Sequence, residues 1–415
     1  MLQISQLPNG LRVVVDPMPS LETAAIGVWA NAGSVDETLA EHGLAHLLEH
    51  MAFKGTASRT ARQIAEEIEA VGGYLNAATS HQRTGYYARV LKDNVDLGLD
   101  LLADILRRPV FDEGEFEKEK EVVIQEIGEA ADLPDDVVFE NLQAISWDGC
   151  SLARPILGTP ASVRAHSVDG LRAFMARLYQ PSRMVVAAAG KVDAERFIKG
   201  VEAAFGDLSD KPGGGGRTAP RFCGGRRHDG RAIEQSHVAV AFEGVASSHP
   251  DFFASRVFAE AWGGGMSSRL FQRVREERGL AYSVYAFSDS YDQCGLVGAY
   301  AGADHEEIPE IVGAFRSELG DMAENAQEDE INRARAMLRA SLMMALESPS
   351  ARIENAAGQI FRSGAVLSAA EISERLDAVS VEDVRRCARR ALEGERALSL
   401  VGPAAVDAAA KALTD

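Results

Sequence analysis

Close to the start of the chain, apolar residues come in short unbroken or alternating runs. LRVVVD follows the turn signal Pro8-Asn9-Gly10, AAIGVWANAGS comes after it, and both read as strands within the first 37 residues. From Glu41 to about residue 54 the period changes. Leu44, Leu47, Leu48 and Met51 recur at helical spacing with no proline among them, which predicts a helix. Thr60 caps a second helix with Ile64, Ala65, Ile68 and Val71 on one face, stopped by Gly72-Gly73. Residues 74–80 and 84–90, rich in Tyr, Thr and Val, read as a strand pair. Residues 93–106 are amphipathic, and 112–131 predict a longer helix with Phe116, Val123 and Ile127 among its buried positions. A further helical stretch and a loop at 147–160 follow. Residues 167–179 are then helical, 184–190 form a buried strand and 194–205 a helix.

The pattern repeats. SVDGLRAFMARLY (167–179) aligns with SVEDVRRCARRAL (380–392) at an offset of 213, and each is followed by a short apolar strand ending in glycine, Gly190 and Gly402. This is the mark of a duplicated α+β unit of roughly 200 residues. The segment 209–232, with its glycine run at 213–216 and the basic pair Arg226-Arg227, has little to bury and reads as an interdomain linker. The expected division is 1–208, then the linker 209–232, then a second copy at 233–415.

Composition narrows the class. A chain of 415 residues suggests two to four domains, and 46% hydrophobic with 25% charged residues is the balance of a globular protein with a sizeable core. A net charge of -19 argues against nucleic acid and anionic membrane as partners. Cys150, Cys223, Cys294 and Cys387 lie far apart with no CxxC pair, so they read as free thiols in a reducing compartment. No basic region followed by an apolar run opens the chain, and no segment approaches 18 continuous apolar residues. The expectation is no signal peptide, no membrane span and a cytoplasmic protein.

The chemistry concentrates in HLLEH. On a helix, His46 and His50 stand one turn apart on one face with Glu49 beside them. Two imidazoles so placed can hold a first-row metal, and the carboxylate can take a proton from water; H-x-x-E-H inverts H-E-x-x-H and is a signature of zinc peptidases. The second copy has no such motif. Where its matching helix is expected, the chain reads GGGMSSRLFQRVREERGLAY (263–282), so one metal per chain is expected. A catalytic zinc takes three protein ligands. His42 could reach the face of the metal helix, whereas His81, His166, His228, His237, His249 and His305 sit in no comparable cluster. Glu119 and Glu126, seven apart on the 112–131 helix, share a face: one can ligate while the other steers a histidine, and spacing alone does not choose between them.

HLLEHMAFKGT, GGYLNAATS, EKEVVIQEI, RPILGTP and SRLFQRVREERGLAYSVY together resemble the inverted-zincin peptidases of the pitrilysin class, in the branch of the mitochondrial processing peptidase subunits and their bacterial relatives. The resemblance covers nearly the whole chain. It implies an α+β fold of two homologous domains, each a mostly antiparallel sheet covered by helices. It implies a zinc metalloendopeptidase, with one zinc on His46, His50 and Glu126, the last about 76 positions after His50. Glu49 matches the general base and Glu119 a residue supporting catalysis. Substrate peptides add as a strand to a sheet edge matching Asn76 and Ala77, and an Arg and a Tyr that bind substrate in larger relatives match Arg275 and Tyr282. Two departures, Ala78 for the usual aromatic and Gln82 for an acidic residue, bear on side-chain preference. The short glycine stretch 263–265 and the intact HxxEH match the catalytic type of subunit.

The family's single-chain members are about twice this length. Two copies here, or a heterodimer with an inactive paralogue, are therefore expected to build a chamber between domains that admits short or unfolded peptides, with Arg275 and Tyr282 of one copy facing the zinc of the other. The alternatives are a noncatalytic assembly subunit on the same fold and a dedicated maturase of one precursor peptide.

Overall fold

The computed structural model describes residues 2–147, 149–210 and 217–414, so the glycine run at 213–216 in the expected linker lies outside the described residues. Two mixed sheets carry the architecture. The first comprises β1 (Gln3–Gln6), β2 (Arg12–Pro17), β3 (Thr23–Ala30), β4 (Tyr74–Thr79), β5 (Thr84–Leu91) and β6 (Met184–Gly190), in the order β1-β2-β6-β3-β5-β4. Its pairings are antiparallel apart from β2 with β6. The second comprises β7 (Gly225–Asp229), β8 (Ser236–Glu243), β9 (Ala281–Ser290), β10 (Gly295–Ala303) and β11 (Arg396–Val401), in the order β7-β11-β8-β10-β9, with β7 and β11 parallel. Apart from β1, the second order reproduces the first place for place. The 213-residue offset is thus a duplication of topology.

Helices fill the same intervals in each copy. α1 (Leu44–Ala52) and α2 (Ala61–Ala70) lie between β3 and β4; α3 (Val95–Arg107), α4 (Glu113–Asp132), α5 (Pro134–Ser146), α6 (Pro160–Ala165) and α7 (Val168–Leu178) lie between β5 and β6; α8 (Ala194–Phe205) follows β6. In the second copy, α9 (Phe252–Gly263) and a π-helical turn at Phe271–Glu276 lie between β8 and β9. α10 (Ile308–Asn325), α11 (Glu328–Ala345), α12 (Pro349–Ser363), α13 (Ala369–Asp377) and α14 (Val381–Glu393) precede β11, and α15 (Val406–Thr414) follows it. The helix that follows β8 as α1 follows β3 is therefore α9, upstream of the 263–282 segment where it was expected, and it carries no histidine.

Strand alternation explains the core. In β6, Met184, Val186 and Ala188 face the large core that contains the apolar side of α1, while Val185, Ala187 and Ala189 face the opposite way, with Val14, Ala25 and Trp29. A strand covered on both faces reads as continuously apolar, as MVVAAAG does. The second face is closed by Ile353, Ala356, Ala357 and Ile360 of α12, a helix from the other half of the sequence. Reciprocally, α5 of the first half lies against β7, β8 and β11.

The compact units are accordingly discontinuous. One takes residues 1–128, 154–217 and 344–366, the other 129–153, 218–343 and 367–415. This departs from the contiguous division expected at 208 and 233, because each sheet has two apolar faces and its own half covers one. Residues 225–229 of the expected linker are strand β7.

Local signals mostly fall where sequence chemistry puts them. Thr60 Oγ1 accepts from Gln63 N–H to start α2, whose Ile64 and Ile68 face inward while Ala65 faces out. Gly190 and Gly402 hold the same place at the ends of β6 and β11 with φ of 106° and 121°. A Cβ at the first would lie 2.3 Å from the Thr23 carbonyl oxygen and at the second 2.5 Å from Ser236 Oγ. Among the described residues no helix is long and apolar enough to cross a membrane.

Candidate metal centre

Leu44, Leu47, Leu48 and Met51 are buried in the first unit's core and pin α1 by one face. That leaves His46, Glu49 and His50 on the other. The two imidazoles meet edge to face, with ring centroids 4.7 Å apart at 65°. α4 is pinned in turn by Phe116 and Val123, both buried in the same core, and this faces Glu119 and Glu126 toward α1. Glu126 Oε2 lies 3.7 Å from His46 Nε2 and 3.5 Å from His50 Nε2. The ligand atoms of His46, His50 and Glu126 all fall within 4.8 Å of one another, the only such cluster of three among the described residues.

Those separations are long for hydrogen bonds. They fit a shared ion, since zinc bonds of about 2.0–2.1 Å in a tetrahedron place ligand atoms ~3.4 Å apart. The charge states fit as well. His50 Nδ1 donates to Glu119 Oε2 at 3.0 Å, which fixes the tautomer and leaves Nε2 free to ligate. Lys54 Nζ sits 2.6 Å from Glu119 Oε1 and holds that carboxylate in place. Burial, with repulsion from His50 second, lowers the His46 pKa to about 4, so its ring is neutral. Burial raises the Glu49 carboxyl, against hydrogen bonds from the side chain and main chain of Thr79 that lower it. Glu49 Oε2 is buried without a hydrogen-bond partner. A buried acceptor beside the converging ligand atoms that no protein donor meets is placed to accept from a group bound at the site.

Comparison with known proteins bears on what that is. Insulinase (Peptidase family M16) matches residues 12–160, which hold all six of these ionisable side chains, and the Peptidase M16 inactive domain matches residues 166–338. The chain belongs to peptidase family M16. It is 39% identical over 407 residues to an uncharacterised zinc protease of Streptomyces coelicolor, covering 96% of this chain and 88% of that one. A mitochondrial-processing peptidase subunit beta of Arabidopsis thaliana, named as probable, is 36% identical over 97% of this chain and 78% of its own length. The crystal structure of a protease from Helicobacter pylori superposes with a TM-score of 0.87 at 21% identity, over 97% of this chain and 99% of that one, and shows the same fold.

The remaining sequence-derived residues of this M16 chain fall into two groups. Asn76 and Ala77 lie on β4, which ends the first sheet and, among the described residues, pairs only with β5. Ala77 is buried, and Asn76 is exposed with Nδ2 donating to the Tyr74 hydroxyl at 2.6 Å. Arg275 and Tyr282 belong to the second unit and touch each other. The guanidinium lies 4.1 Å from the Tyr282 ring centroid and 4.8 Å from that of Phe271, and Nη1 donates to the Tyr282 carbonyl at 2.9 Å. The Tyr282 residue is 80% exposed, at the start of the edge strand β9.

His42 turns away from the metal face, with its Nε2 2.9 Å from the Pro155 carbonyl. Three residues escaped the sequence reading: Lys54, Thr79 and Glu37. Lys54 was visible as the next residue on the His46 and His50 face, four positions on. Thr79 shares strand parity with Ala77, which brings it toward α1.

Proposed function

We propose that this M16 chain is a zinc-dependent endopeptidase cleaving short or unfolded peptides, with His46, His50 and Glu126 as ligands and Glu49 as general base. The observation that carries the reading is the convergence of three ligand atoms beside a buried carboxylate oxygen with no partner. The names of relatives as zinc proteases support the choice of metal. Zinc, when bound, supplies a Lewis acid that acidifies water and polarises a carbonyl. Glu49, steadied by Thr79, takes a proton from the attacking water and returns it to the leaving amine. Glu119, itself held by Lys54, keeps His50 oriented through Nδ1.

The peptide pairs its backbone with the open edge of β4 at Asn76 and Ala77. Edge pairing reads the main chain, so extension and flexibility select the substrate more than side chains do. Half-buried Arg275 and the exposed Tyr282 stacked on it bind the peptide of a second copy in a homodimer, the alternative assembly being a heterodimer with an inactive paralogue. The absence of histidine from α9 supports one zinc per chain, and four free cysteines support a reducing, cytoplasmic setting.

The test is digestion of a peptide library with protein of measured oligomeric mass, with and without chelator. Cleavage that stops with chelator, returns with zinc and is absent in Glu49→Gln is the expected result. Cleavage that survives both treatments removes this site from the chemistry.

A further inference from the structure

α1 begins without a cap of its own. Gly43 holds the N-cap position in left-handed backbone, φ 89°, and has no side chain to offer the first-turn amides. Glu37, 4% exposed, supplies the acceptors from outside the helix. Its Oε2 accepts from Gly43 N–H at 2.9 Å and its Oε1 from Ala45 N–H at 2.8 Å.

Glu37 is itself held by the RPILGTP segment, which the proposed chemistry left unused. Arg154 Nη2 donates to the Glu37 carbonyl at 2.5 Å. Pro155 faces His42 through its carbonyl, and His166 Nε2 lies 2.9 Å from the His42 carbonyl. Gly43 is packed so closely on this segment that a Cβ there would lie 2.7 Å from the Leu157 carbonyl oxygen. The start of α1 is therefore clamped from both sides.

His46 directly follows Ala45 and lies in the first turn, whose amides Glu37 holds, whereas Glu49 and His50 lie one turn on, in the last turn of this nine-residue helix. Any shift of that turn moves one ligand against the other. We propose that Glu37, braced by Arg154, is a positioning residue of the metal centre: by fixing the first turn of α1 it sets His46 relative to His50 and Glu126, and so sets the affinity for zinc. The inference rests on the zinc peptidase reading. It assigns the RPILGTP segment a part in metal binding, through the Arg154 side chain on Glu37 and the close packing of the segment's backbone on His42 and Gly43.

A helix cap that serves stability alone changes the melting temperature of the apoprotein and leaves zinc affinity of the folded protein intact. A positioning residue changes the affinity. Glu37→Gln keeps the side-chain volume but turns one acceptor into an N–H₂ group facing a backbone N–H. Zinc dissociation constants, measured by competition with a chromophoric chelator on folded wild-type and Glu37→Gln protein, should differ by about 10- to 100-fold. The visible bands of the cobalt-substituted protein should shift with them. Arg154→Gln should weaken zinc in the same direction by a smaller factor, and it decides the matter if Glu37→Gln does not fold. A folded variant with wild-type zinc affinity and an unchanged cobalt spectrum would overturn the proposal. Wild-type protein that binds no zinc would instead overturn the peptidase reading, and this inference with it.

Discussion

At the scale of single residues, the site separates two jobs that both fall to carboxylates. Glu126 Oε2 stands 3.5 and 3.7 Å from the two imidazole nitrogens, while Glu49 keeps one oxygen on Thr79 and the other unpartnered. Glu49→Gln is therefore expected to retain about one zinc per chain and to lose about 10²- to 10⁴-fold in peptide cleavage, read by elemental analysis and a fluorogenic peptide. Glu126→Gln should lose the metal itself, and equal zinc content in dialysed mutant and wild type would count against it as a ligand. The motif HxxEH was legible in the sequence because its members lie within one helical turn. The proposed third ligand was not, since Glu119 and Glu126 are equivalent by spacing. Resemblance favoured Glu126, and the geometry separates the two: Glu119 meets Nδ1 of His50, and Glu126 faces both Nε2 atoms.

At the scale of elements, α4 shows how a core residue governs a proposed ligand it never touches. Phe116 and Val123 lie in the same apolar cluster as α1's Leu47, Leu48 and Met51, so the helices that present the two halves of the centre share one anchor. Phe116→Ala should cost about 3–5 kcal/mol of stability by denaturant melt and weaken zinc binding as well. Undiminished zinc affinity in the folded mutant would show that α4 is placed by other contacts. Helical periodicity foretold α4 and its buried Phe116 and Val123. It did not foretell where α1 begins, because Gly43 offers no cap and its substitute, Glu37, makes hydrogen bonds that no sequence spacing advertises.

For the whole molecule, the exchange of α5 and α12 between the halves binds the two copies into one folding problem. A fragment ending at residue 217 would lack Ile353, Ala356, Ala357 and Ile360, which cover Val14, Trp29, Val185 and Ala187. It should aggregate when expressed alone and become soluble when co-expressed with residues 218–415; a monomeric, folded fragment would refute that. Oligomerisation has its own test: inactive Glu49→Gln and Arg275→Ala chains, mixed and shown to form heterodimers, should recover cleavage if Arg275 acts on a neighbouring copy, and recover none if it acts within its own chain. The chain's periodicity and its 213-residue self-similarity determined the elements, the duplication and the position of the two histidines, because each of these depends on residues near in sequence or on a repeated pattern. Tertiary structure alone decided which half covers each sheet's second face, how α1 is capped and which glutamate faces both imidazoles. Those outcomes depend on apolar area and hydrogen-bond acceptors brought in from distant segments, and their identity is set only once the chain has packed.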